Sequence, residues 1–142
     1  MFKRIFLPSA VALSLFASHL PAAADNRTLV EFPGMMRDHM LANMRDHLAA
    51  INEILGPLGR DEHEQAADVP ESRHGFSALE AHGAAHMAQF IPEAMREAGT
   101  AMHRAASQFA RTAQEGEVLP AYRKLTEVTA SCVTCHASFK VH

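Results

Sequence analysis

Two thiols three residues apart, followed at once by an imidazole, stand near the C-terminus as Cys132-Val133-Thr134-Cys135-His136. This is the spacing that captures a c-type haem. Each thiol can add across one vinyl group of the porphyrin, and the neighbouring imidazole reaches the iron from the same stretch of backbone. No other cysteine occurs in the chain, which has 2. A thioredoxin-like pair belongs between a strand and a helix, whereas Tyr122 to Ala130 leads into this motif with helical spacing. A zinc site asks for three or four protein ligands, and the motif alone supplies three at most. A plain disulfide or redox dithiol is the remaining reading.

The elements that must position this motif begin after a leader. Met1-Phe2-Lys3-Arg4 precedes an apolar run from Ile5 to Leu20 that closes on Pro21-Ala22-Ala23-Ala24, the pattern of a secretory signal over residues 1–24. Export to the periplasm is the expectation, with a mature domain over 25–142 and no span that crosses a membrane. Those 118 residues suit one domain. Without Lys3 and Arg4 the chain keeps 11 basic against 16 acidic side chains, a formal charge of −5. That balance disfavours nucleic acid and permits a basic redox partner.

Helical periodicity runs through the mature chain. From Phe32 to Leu55, Met36, Met40, Leu41, Met44, Leu48, Ile51 and Leu55 recur at three- and four-residue steps, which predicts one apolar stripe. Gly56-Pro57 ends that helix, and Gly56 to Gly75 reads as a long connection with at most one short turn. A second helix is expected over Ser77 to Phe90 and a third from Glu93 to Ala113. The fourth spans Glu117 to Phe139, with Leu119, Tyr122, Leu125, Val128, Cys132 and Cys135 facing inward. No β alternation is apparent. Four amphipathic segments in a small domain predict an all-α fold, an antiparallel up-down-up-down four-helix bundle.

The motif's place at the end of the last helix makes the chain resemble a class II cytochrome c, of the cytochrome c prime superfamily. The residues that carry the resemblance are Val128 to Lys140, with Phe109-Ala-Arg-Thr-Ala-Gln-Glu-Gly116 before the last helix. It extends over Phe32 to Lys140. The resemblance implies one haem c per chain, thioether-linked to Cys132 and Cys135, with His136 as the proximal iron ligand. It places Lys140 near that ring, where arginine is usual in the family, and Arg37 near a haem propionate. Homodimers are common among such proteins.

The sixth iron site separates two functions. The resemblance aligns either Leu41 or Met40 with the distal position, depending on whether the count starts from Arg37 or from Gly56. Met36, Met40 and Met44 form an i,i+4 ladder, and a thioether beside an open iron binds it and raises the reduction potential. Met40 leads on this reading, with Met44, Met36 and His39 as alternatives. The expected function is periplasmic single-electron transfer through a His/Met-ligated iron, not enzymatic catalysis. A five-coordinate protein that binds nitric oxide or carbon monoxide beneath Leu41 is the alternative. The reading from another class is a histidine- and methionine-rich metal-binding bundle without haem. The chain has 10 histidines, and His82 with His86 is spaced i,i+4, as a transition-metal pair would be. No Glu stands where a His-Glu-x-x-His hydrolase needs it.

Overall fold

The computed structural model describes residues 24–141, so the leader at 1–24 lies outside them except for Ala24. The chain is all-α. Its helices are α1 (Gly34–Gly59), α2 (His63–Arg73), α3 (Ala84–Met87), α4 (Glu93–Gln114) and α5 (Val118–Ser138), with one 3-10 turn at Phe76–Ala78. Among the described residues five helices therefore stand where four are expected. No helix among the described residues is long and apolar enough to cross a membrane.

Helix α4 is the hub, packed against both α2 and α5, while α1 lies on α2. The main core gathers Ile54 and Leu58 from α1, Ala66 and Ala67 from α2, Phe109 from α4, and Leu125 and Val128 from α5. Alanines at the crossings let these backbones approach closely, and Phe109 fills the centre at 0% exposure.

Two expected boundaries move. The stretch Gly56 to Gly75 is mostly helix. α1 continues through Pro57 to Gly59 because Leu58 is driven into the core, where it is 1% exposed. Its burial contributes about 2 kcal/mol, which offsets much of the roughly 3 kcal/mol that a proline costs inside a helix by removing a ladder bond and crowding the carbonyl four residues back. After a reversal at Asp61, whose φ is 65°, α2 forms with Ala66, Ala67 and Pro70 buried. The expected helix over Ser77 to Phe90 is instead broken. Gly83, at φ 64°, turns the chain left-handed and only Ala84–Met87 is regular.

The apolar stripe of α1 is also rotated from the expected one. The buried face is Met40, Asn43, His47, Ala50, Ile54 and Leu58, whereas Leu48 and Leu55 are 73% and 42% exposed. Polar Asn43 and His47 also lie inside, Asn43 with a hydrogen-bond partner and His47 packed between the rings of His74 and His82. Asn43 Nδ2 donates to the His82 carbonyl at 3.1 Å. On α5, Ala121 takes an inward place, while Leu119 and Tyr122 are exposed.

One short strand pair was not expected. β1 (Thr28–Leu29) runs parallel to β2 (Phe139–Lys140), which follows α5 directly. The Val30 amide extends the pair by donating to the Lys140 carbonyl at 2.8 Å. The described N-terminus is thereby fastened beside the cysteine motif.

Candidate functional site

Cys132, Cys135 and His136 occupy the last two turns of α5. Three- and four-residue spacing puts them on neighbouring parts of one helix surface. Both thiols are free and partly buried. Cys132 packs against the main core, and its Sγ lies 3.5 Å from the Val128 carbonyl one turn back. Cys135 packs against a second apolar cluster that contains Val30, Met40, Met87 and Met95, flanked by Phe32, Met44, Ile91 and Phe139. Burial pushes both thiols above the ordinary range, and for Cys135 the neighbouring Cys132 adds to the effect. His136 is exposed.

A clasp of charged groups sits over this end of α5. Arg27 pairs with Asp25 through Nε and Nη2, both at 2.9 Å, and its Nη1 lies 3.5 Å from the His136 carbonyl. Lys140 Nζ reaches the same Asp25 at 3.3 Å. The hydrogen bonds from Arg27, assisted by Lys140, hold the Asp25 carboxyl well below the usual carboxylate range.

Of the candidate distal residues, the structure brings Met40 and Met44 to the cluster that holds Cys135. Met40 is buried, at 7% exposure. Leu41 is only partly buried and belongs to neither cluster, and Met36 is likewise partly buried outside them. His39 is exposed, with its Nε2 close beside Gly83, 3.3 Å from where a Cβ would stand. Arg37 pairs with its neighbour Asp38 at 2.8 Å.

These residues fit a covalent haem in their chemistry. Two free thiols share a helix face, an imidazole follows them, and a buried thioether lies in the cluster that Cys135 joins. That cluster is rich in methionine, whose unbranched side chains repack readily around a bulky group.

Sequence reasoning misses a second constellation. His47 of α1, His74 after α2, His82 in the turn before α3 and His103 of α4 are all buried, at 8%, 0%, 9% and 7% exposure. Their rings form a row, with centroid separations of 4.6 Å from His74 to His47, 4.8 Å from His47 to His82 and 5.3 Å from His82 to His103. Burial, and then the neighbouring imidazoles, lowers His47 to about 3. Burial, followed by His82 and Arg73, lowers His74 to about 4. His82 is lowered too, mainly by burial. Among the described residues His47 Nε2 and both ring nitrogens of His74 are buried without a hydrogen-bond partner, and each such atom costs about 1–3 kcal/mol. As the rings stand, no three or more His, Cys, Asp or Glu among the described residues are already arranged to hold a metal ion. The expected pair His82 and His86 is split, because His86 is exposed while His82 is buried. The missed signal is the i,i+3 and i,i+4 run Met40, Asn43, His47, Ala50, Ile54, which gives the buried face if polar residues are allowed on it.

No family model, curated protein or solved structure matches the chain.

Proposed function

We propose that the chain is a periplasmic c-type haem protein that carries single electrons, similar to the low-spin members of class II cytochromes c. The observation that carries this reading is that Cys135 of the Cys-x-x-Cys-His motif and Met40 pack in one apolar cluster. Cys132 and Cys135 would hold the porphyrin by thioether bonds, and His136 and Met40 would be its protein ligands to iron. Bound there, the group supplies a one-electron iron couple whose potential a thioether ligand raises.

The chain's own residues do the rest. Helix α5 fixes both thiols and the imidazole on a single rigid element, which keeps reorganisation small when the charge changes. The methionine-rich cluster excludes water on the Cys135 side. The Asp25–Arg27–Lys140 clasp secures the backbone just beyond His136. An acidic surface suits a basic redox partner.

The test is the absorption spectrum of the mature, haem-loaded protein in both oxidation states, with carbon monoxide added to the ferrous form. A low-spin spectrum indifferent to carbon monoxide is expected. A high-spin spectrum with prompt carbon monoxide binding would replace electron transfer by gas binding, with Leu41 over an open iron. No haem stain surviving denaturation would remove both readings and leave the haem-free metal-binding bundle.

A further inference from the structure

We propose that His47, His74, His82 and His103 form a second site, apart from the cysteine motif, that takes one late divalent transition-metal ion of the zinc(II) or copper(II) class. The site does not depend on whether the chain carries haem.

The four imidazoles come from separate parts of the chain and meet in the interior, each less than 10% exposed. As a purely apolar packing unit the cluster is poor, since among the described residues three of its ring nitrogens are buried with no hydrogen-bond partner. A cation that accepts imidazole lone pairs satisfies such atoms directly.

The backbone around the rings is already secured as a ligand shell requires. His103 Nδ1 lies 2.6 Å from the His74 carbonyl and 3.1 Å from that of Gly75. A carbonyl only accepts, so Nδ1 carries the proton and the lone pair is left on Nε2, as it is in metal-bound histidines oriented by a backbone oxygen. Asn43 tethers the His82 carbonyl.

Each adjacent pair of rings has a spacing that suits a shared ion. Two imidazoles on one tetrahedral ion, with metal–nitrogen distances of about 2.0–2.1 Å, hold their ring centroids roughly 5 Å apart. The observed neighbours stand at 4.6, 4.8 and 5.3 Å. Convergence of the nitrogens needs rotation of the His47, His74 and His82 rings about their terminal side-chain torsions, which are broad, while the His103 ring stays held by the His74 and Gly75 carbonyls. His47 and His82, in the middle of the row, are ligands in every arrangement, and His74 and His103 complete the shell from either side.

The donor set selects the ion. Imidazole without thiolate or free carboxylate suits zinc, copper or nickel and not calcium or magnesium. Burial keeps His47, His74 and His82 in the neutral form that a metal binds. The Asp46 carboxylate, held at 2.6 Å by Arg73, acts on the same three rings in the sense that favours positive charge.

The experiment is zinc(II) uptake by the full mature, chelator-stripped protein at micromolar free zinc, read by elemental analysis after gel filtration, with haem iron counted separately. One zinc per chain and a raised thermal midpoint are expected, with affinity reduced at least about tenfold in His47→Gln and His82→Gln and unchanged in the surface control His86→Ala. Zinc K-edge absorption of the wild-type complex gives a reading that needs no variant to fold, and a first shell of imidazole nitrogens is expected. No retained zinc, an oxygen-rich shell, or loss of uptake in His86→Ala overturns the proposal.

Discussion

Met40 and Leu41 differ by one step along α1, yet they carry opposite chemistry, and the rotation of the helix favours the first. Met40 belongs to the buried face with Asn43 and His47, while Leu41 sits at its margin. If Met40 is the distal ligand, Met40→Ala retains covalent haem, turns the spectrum high-spin and lets ferrous iron bind carbon monoxide. Leu41→Ala leaves the low-spin spectrum in place, and absorption spectroscopy of the two variants checks the pair. Met40→Ala also removes a buried side chain from the cluster, which costs about 2–5 kcal/mol by denaturant titration. The thioether ladder is visible in the sequence, but which rung faces inward is not. That choice depends on Asn43 being buried, and its partner, the His82 carbonyl, is 39 positions away.

Arg73 ties two elements together. At the C-terminal turn of α2 it grips α1 through Asp46 at 2.6 and 3.1 Å, the Asp46 carbonyl at 3.1 Å, and Glu53. Its side chain is only 27% exposed. Arg73→Ala removes these charge-assisted bonds and lowers stability by about 1–3 kcal/mol, measured as a shift in urea midpoint at unchanged slope. At the turn before α3, Gly83→Ala places a Cβ at φ 64°, 3.3 Å from His39 Nε2. It costs about 1 kcal/mol, again by denaturant titration. The long helices α1, α4 and α5 are readable in the sequence because large apolar residues recur along them with helical period. α2 is not, because its buried residues are Ala66, Ala67 and Pro70. Small side chains leave no hydrophobic period, and a proline in the pattern reads as a breaker. The placement of Cys132, Cys135 and His136 together on one helix is local and therefore legible. The histidine row is assembled from parts of the chain that only the tertiary fold brings together.

Across the whole molecule, the buried imidazoles set the response to acid. His47 and His74 hold folded values of about 3 and 4 against an ordinary 6.5, so below pH 6.5 the unfolded chain binds more protons than the folded one. Stability is therefore level above that pH and falls as pH drops from about 6.5 toward 4. Each such ring removes up to about 1.4 kcal/mol per pH unit once the unfolded chain is protonated. Urea titrations of the chelator-treated protein between pH 7 and pH 5 check the slope. His47→Leu, which has no ring to titrate, flattens part of it. The clasp between Asp25 and Lys140 bears instead on the order of assembly. The two residues are 115 positions apart, and β1 cannot pair until β2 exists. In a chain synthesised from its N-terminus, Thr28 and Leu29 have no pairing partner until Phe139 and Lys140 have been added. Contacts of such long sequence separation form slowly. If the chain carries haem as proposed, the slow pairing of β1 with β2 leaves the cysteine end of α5 unlocked for a time after synthesis, and thioether attachment falls in that interval.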